Sequence, residues 1–312
     1  MSSNLVIVYH RQPYEEVEVD GKIEYRENKS PNGIVPTLKS FFGRFEKGAW
    51  VAWKEASDSA NPGFDRVIEI DDQYGKYTVS RLPLTKEQVQ SFYHISSKEA
   101  FWPILHGFKE RYNYDPVDWP TFREVNWAFA EAAAAEAAQG AVVWVHDYNL
   151  WLVPGYLRKL RPDVKISFFH HTPFPGADMF NVLPWRREIL ESLLACDVVG
   201  FHIPRYANNF VSAARSLLEV DTIKREKVKA ELSSQTSALS EQSVPTRLAF
   251  EGREIAGQPC RGRCRLHRRG CEDRRDRCAR QADRGRTGRS QVGAIGRADG
   301  LHQGRRSAAS KL

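Results

Sequence analysis

Residues 141–176, AVVWVHDYNLWLVPGYLRKLRPDVKISFFHHTPFPG, hold two apolar runs that each end in side chains able to do chemistry. His146 and Asp147 close the first run, and His170 and His171 close the second, followed by Thr172-Pro173-Phe174-Pro175-Gly176. A carboxylate accepts hydrogen bonds from two hydroxyls at once, so Asp147 can orient a polyol; it can equally cap the helix that the pattern starts near Asn149. His171 can donate to a hydroxyl or a developing oxyanion, while alternation along an extended run turns His170 to the opposite face. Arg11 follows the first apolar run of the chain, and Gly33 precedes a helical pattern in the turn Pro31-Asn32-Gly33. A guanidinium and free helix N–H groups can together receive an anion, although such a turn also serves simply to reverse the chain. Tyr93 and Trp102 either line a substrate wall or pack in the core.

These residues need a scaffold that brings strand ends together. Residues 4–10 read as a buried first strand, 34–45 as an amphipathic helix, and 50–54, 66–70 and 77–82 as further short strands. Residues 121–139 form the clearest helix, with Thr121 and Glu124 in a capping-box pattern, an alanine run, and Gly140 as the residue after its end. From there strand 141–147, helix 149–160, strand 164–170, helix 183–195, strand 197–202 and helix 204–218 alternate as in an α/β, Rossmann-like parallel sheet. In such a sheet the strands run one way, and ligands bind outside their carboxyl ends. The acid and the imidazoles then share one crevice.

Composition narrows the setting. The hydrophobic content of 41% with eight tryptophans is enough for a sizeable core. No secretory leader pattern or bilayer-length apolar run is visible, so a cytoplasmic location without membrane contact is expected. The net charge of +7 is uneven: residues 1–250 carry 29 Lys and Arg against 32 Asp and Glu, and residues 251–312 carry 17 against 7. Phe250 is the last aromatic residue, and the tail holds a single lysine, Lys311. A stretch this poor in large apolar groups cannot offset its ordering entropy, so residues 256–312 are expected to be disordered. Cys196 stands alone in the body and reads as a small buried hydrophobe. Cys260, Cys264, Cys271 and Cys278 cluster in the tail, but their spacing lacks the close pairs of a zinc site, so no metal is expected. No GxGxxG, Walker, HExxH or GxSxG pattern occurs.

The segments LVIVYHRQP, PNGIVPTL, FYHISSKEAFWP, WVHDYNLWLVPGYLR, FFHHTPFP and LLACDVVGFHIPRYANNF together resemble the amino-terminal half of the trehalose-phosphate synthase superfamily of retaining glycosyltransferases. The resemblance covers residues 4–255 and implies the amino-terminal, acceptor-side domain of a GT-B fold, in which the active site lies between two Rossmann-like domains. Trehalose-phosphate synthases show SNR where this chain has Tyr9-His10-Arg11, GGL where it has Asn32-Gly33-Ile34, and a second histidine where it has Asn149. Those departures resemble the glycerol-phosphate branch. They imply transfer of glucose from ADP-glucose to sn-glycerol 3-phosphate with retention of configuration and without a cofactor, as in compatible-solute synthesis under salt stress. The resemblance gives Arg11 the acceptor phosphate, Tyr93 and Trp102 the acceptor wall, Asp147 the acceptor hydroxyl side and His171 the donor glucose. Asn32 and Gly33 fall at the turn where the backbone approaches the donor diphosphate.

The resemblance stops at Ile255. The half that would clamp the donor diphosphate does not fit in residues 256–312, whose composition is that of a shifted reading frame in a GC-rich gene. Little activity is therefore expected of this chain by itself. Two other readings remain: trehalose-6-phosphate synthesis from UDP-glucose and glucose 6-phosphate, and a non-catalytic protein whose basic tail binds polyanions through phosphates without base specificity.

Overall fold

The computed structural model describes residues 2–27, 33–115, 117–228 and 242–259. They fall in one compact unit, Met1–Gly262; a second unit, Arg263–Leu312, lies outside the described residues. Of the tail expected to be disordered, residues 260–312, with its four clustered cysteines, lie outside the described residues, whereas residues 256–259 belong to a strand.

The chain opens with β1 (Ser3–Val8), whose residues Leu5–Val8 are fully buried, as an apolar run inside a parallel sheet must be. A hairpin of β2 (Tyr14–Val19) and β3 (Lys22–Glu27) follows, turning at Asp20-Gly21 with both residues at positive φ. Then come α1 (Ile34–Lys39), β4 (Gly48–Glu55), β5 (Val67–Asp72) and β6 (Gly75–Leu84). A continuous helical stretch runs through α2 (Lys86–Val89), a π-helical segment (Gln90–Phe101) and α3 (Trp102–Leu105). Beyond it lie α4 (Trp119–Glu136), β7 (Ala137–His146), α5 (Val153–Leu160), β8 (Lys165–His170), α6 (Ala177–Phe180) and α7 (Arg186–Leu194). The described part ends with β9 (Val198–Phe201), α8 (Pro204–Arg215), β10 (Asp221–Lys227), β11 (Ser243–Phe250) and β12 (Arg253–Pro259).

Ten strands make one sheet in the order β10-β11-β12-β9-β8-β7-β1-β4-β6-β5. From β12 to β6 all neighbours are parallel; β5 at one edge and β10 and β11 at the other are antiparallel additions. The chain moves outward from β1 through β4 to β6, then returns to β1's other side with β7 and proceeds through β8 and β9. The order therefore reverses between β1 and β7, and at such a switch point a crevice opens beyond the carboxyl ends of the strands. Tyr9–Arg11 and His146-Asp147 leave the sheet at that point.

The α/β, parallel-sheet expectation is met, with corrections at element ends. Helix α4 starts at Trp119 rather than at a Thr121 cap: Asp118 is the N-cap, its carboxylate accepting from the Thr121 N–H at 3.2 Å and from the Thr121 hydroxyl at 2.6 Å. Pro120 is tolerated in the first turn, where its missing N–H is not needed, and Trp119 is drawn in by stacking on Phe122 and Trp185. The helix also ends early, at Glu136, and Gly140 lies inside β7 at φ 69° instead of closing the helix. The Arg161 guanidinium explains the change, because it takes the carbonyls of Ala134 and Ala137 at 2.8 Å and releases the chain into the strand. The expected helix 34–45 is α1 followed by a 3₁₀ turn, Phe42–Arg44. Strand β12 continues to Pro259, four residues past the expected boundary at 255. Cys196 is fully buried. No helix of the described residues is long and apolar enough to cross a membrane.

One network fixes the loop after β7. Asn126 of α4, fully buried, donates to the Phe122 and Asn149 carbonyls and accepts from the Leu152 N–H at 3.1 Å. A buried amide satisfied on both sides pins the loop's path as apolar packing alone does not. Asp147 stands at the start of that loop.

Candidate active site

Four adjacent strand ends supply the site. β1 leads into Tyr9-His10-Arg11, β7 ends in His146 before Asp147, β8 ends in His170 before His171-Thr172, and β9 leads into His202. Tyr9, His146, His171 and His202 form a row of rings, with centroids 6.2 Å apart for Tyr9–His146, 5.2 Å for His146–His171 and 5.8 Å for His171–His202. His146 Nδ1 and His171 Nε2 are hydrogen-bonded at 3.1 Å. His170 turns to the other face as alternation requires: it is fully buried among Trp151, Phe174 and Phe201, with Nδ1 on the Thr172 carbonyl at 2.8 Å.

Asp147 combines two costly features. Its backbone sits at φ 69°, ψ 165°, a region that side chains other than glycine's avoid. Its carboxylate is only 7% exposed and accepts from the Tyr148 N–H at 3.1 Å and the Thr172 hydroxyl at 3.2 Å. Burial raises its pKa to about 6, opposed by those hydrogen bonds and by the backbone of Thr172 and His171. Of the two sequence readings of Asp147 the structure shows the cap, on the 3₁₀ turn Tyr148–Leu150, at a residue that also stands in the crevice. Strain and a perturbed acid at one residue are the physical marks of a functional position.

The imidazoles are neutral. Burial, reinforced by Arg11, His171 and Lys98, pushes His10 down to about 3, and burial with His202 and His170 does the same to His171. His146 is lowered by burial and by His171. At neutral pH the site therefore presents the Arg11 guanidinium, the Lys98 ammonium beside Tyr93, the Asp147 carboxyl group and a set of neutral ring donors and acceptors.

Arg11 is exposed, and its Nε donates to His10 Nε2 at 3.4 Å. Its backbone carbonyl accepts from Trp50 Nε1 at 2.9 Å, and its side chain also has Tyr93 as a hydrogen-bond partner. Tyr93 projects from the π-helical segment, with His10 at 5.5 Å on one side and the Lys98 ammonium 4.4 Å from its ring centroid. Arg11, Tyr93, Asp147 and His171 are thus brought together.

Trp102 is not part of that contact set: it is 40% exposed, and its ring stacks on His106 at 3.9 Å and Phe108 at 5.9 Å. Gly33 is the N-cap of α1 at φ 63°, with open space around it, and no hydrogen bond joins it to Arg11. Gly33→Ala is expected to cost about 1–2 kcal/mol in a urea unfolding titration through backbone strain alone; unchanged stability would contradict the left-handed turn. Asn32 lies outside the described residues.

Sequence reasoning passes over Tyr9, Thr172, Lys98 and His202. A signal for His202 is available: five of the nine histidines stand at the carboxyl ends of four neighbouring strands. No group of three or more His, Cys, Asp or Glu side chains is placed to hold a metal among the described residues. A cavity of about 360 Å³ bordered by Arg158, Glu188, Phe250 and Arg253 is separate from this crevice, since Arg253 begins β12 at the amino-terminal end of the sheet.

The pattern for glycosyltransferase family 20 matches residues 3–245. The chain belongs to glycosyltransferase family 20. It is 55% identical over 255 residues to a glucosylglycerol-phosphate synthase of Synechocystis sp., covering 82% of this chain and 51% of that protein. A trehalose-6-phosphate synthase of Mycolicibacterium gilvum is 42% identical over 217 residues, covering 69% of this chain and 42% of that protein. A solved trehalose-6-phosphate synthase structure superposes with a TM-score of 0.63 at 21% identity, covering 82% of this chain and 48% of that chain, which shows a shared fold. This family 20 chain spans about half the length of these relatives.

Proposed function

We propose that this chain is the acceptor-side domain of a retaining glucosyltransferase that moves glucose from ADP-glucose to sn-glycerol 3-phosphate, giving glucosylglycerol phosphate. The observation that carries the reading is the difference in likeness: 55% identity to a glucosylglycerol-phosphate synthase against 42% to a trehalose-6-phosphate synthase. The geometry is compatible with it. Arg11 offers a fixed cation for an acceptor phosphate, held between His10 and Tyr93. Asp147 offers carboxylate oxygens for acceptor hydroxyls, and His171 a neutral imidazole for the sugar to be transferred. With no second carboxylate paired to Asp147 among the described residues, a glycosidase-type acid and nucleophile pair has no support here. Retention would then rely on the leaving phosphate to take the acceptor proton.

The test is acceptor choice. Calorimetric titration of the chain with sn-glycerol 3-phosphate and with glucose 6-phosphate should favour the former. A chimera carrying residues 1–255 in place of the matching segment of the Synechocystis synthase should form glucosylglycerol phosphate, detected by mass spectrometry. Turnover of the chimera with glucose 6-phosphate alone would overturn the proposal.

A further inference from the structure

We propose that His146 is a positioning residue that holds His171 in its Nδ1–H tautomer, so that the imidazole facing the crevice offers a hydrogen-bond donor at that atom. The inference rests on the proposed function for the identity of what His171 meets, and on geometry for the tautomer.

His146 Nδ1 and His171 Nε2 are 3.1 Å apart, and between two neutral imidazoles one nitrogen must donate and the other accept. Which one donates is decided by the far side of His146. That residue is fully buried, and its Nε2 has no hydrogen-bond partner among the described residues. Were the proton on Nε2, the protein would enclose an unpaired N–H beside the Tyr9 and Trp144 rings. With the proton on Nδ1, the unpaired atom is a bare ring nitrogen instead. Orphaned buried N–H groups are rarer than under-used acceptors, so His146 donates from Nδ1. His171 Nε2 then accepts, and the His171 proton resides on Nδ1. Among the described residues that atom has no hydrogen-bond partner and is not enclosed, so it is open to a ligand.

The rest of the shell keeps the ring in place. Phe169 meets the His171 ring edge-on at 4.8 Å, and the His202 side chain hydrogen-bonds the His171 backbone. Burial holds both imidazoles of the pair well below the usual histidine range, so the neutral pairing persists through physiological pH. The ligand atom opposite His171 Nδ1 must be an acceptor, such as a sugar hydroxyl oxygen or a phosphate oxygen. The adjoining ring nitrogen is already occupied and cannot act as a base toward it.

The tautomer is directly measurable by long-range ¹H–¹⁵N correlation on the full chain labelled with ¹⁵N-histidine, the His171 signals being assigned by their loss in His171→Gln. The expected wild-type spectrum has a protonated Nδ1 and an unprotonated Nε2. His146→Phe removes the donor and should return His171 to the Nε2–H form that free histidine prefers. His146→Asn, whose amide N–H can stand where Nδ1–H stood, should retain the Nδ1–H form. An Nε2–H tautomer in the wild type overturns the proposal, as does an Nδ1–H form that survives in His146→Phe or is lost in His146→Asn. Should His146→Phe not fold, the wild-type and His146→Asn spectra still decide. No substrate enters the measurement, so a failure of glucosyl transfer in the chimera and a failure of this tautomer are separate results.

Discussion

Asp147→Asn is expected to make the protein more stable at neutral pH, by about 2–3 kcal/mol, and the gain should disappear in acid. The sign follows from the pKa. An ordinary aspartate titrates near 3.8, whereas burial raises Asp147 to about 6 in the folded chain. Between those values the folded state holds a proton that the unfolded state has released, so stability falls as pH rises from about 4 to 6 and then levels off. A tenfold difference in proton affinity between the two states is worth about 1.4 kcal/mol, which gives the size of the effect above pH 6. Asparagine carries no charge to desolvate, and its carbonyl oxygen can still accept from Tyr148 and Thr172. Urea titrations of both proteins at pH 7.5 and pH 4.5 would measure the difference; equal or lower stability of Asp147→Asn at pH 7.5 would remove the electrostatic half of the case for this site. In the chimera the same substitution should slow transfer, because the carboxylate that burdens the fold is the one proposed to hold the acceptor hydroxyls.

The same residue shows what a sequence can and cannot disclose. That Asp147 ends a buried strand is legible from AVVWVHD, because a β-branched apolar run followed by polar residues has few other outcomes. That its backbone adopts φ 69° is not legible, since the strain is imposed by the Asn126 network and by the Asp147 N–H bonding to the Phe169 carbonyl, both products of tertiary structure. Strand alternation separates His170 from His171 correctly because both residues lie at the end of a regular strand. The β2–β3 hairpin is legible yet passed over: Val17-Glu18-Val19 and Ile23-Glu24-Tyr25 alternate on either side of the Asp20-Gly21 turn signal, but the high charge of the segment masks that alternation. The helical stretch 86–105, which carries Tyr93, is likewise hidden. Its π-helical geometry, with the Ser97 hydroxyl donating to the carbonyl of Phe92 five residues back, blurs the 3.6-residue period that marks a helix in sequence. The resemblance groups Trp102 with Tyr93 on one wall, but their separation along that helix points the two rings into different neighbourhoods.

Arg11→Ala should weaken binding of sn-glycerol 3-phosphate ten- to a hundredfold, corresponding to loss of a charge-assisted hydrogen bond of about 1.5–3 kcal/mol. The guanidinium is exposed, so the fold should change little; the main structural loss is the contact with His10 Nε2, which leaves one buried acceptor with less to bind. Arg11→Lys separates charge from geometry. An ammonium restores the cation but has no Nε to donate sideways into His10 and no second donor edge for phosphate, so recovery should be partial. Glycerol supplies the control, since a ligand without phosphate should bind the wild type and Arg11→Ala with similar weakness. Raising the salt concentration should narrow the gap for the phosphate ester while leaving glycerol unaffected, because an exposed ion pair is screened. Calorimetric titration of the three proteins with both ligands makes the comparison. Equal affinity of the wild type and Arg11→Ala for sn-glycerol 3-phosphate would move the phosphate site away from β1, and with it the acceptor role proposed for this strand end.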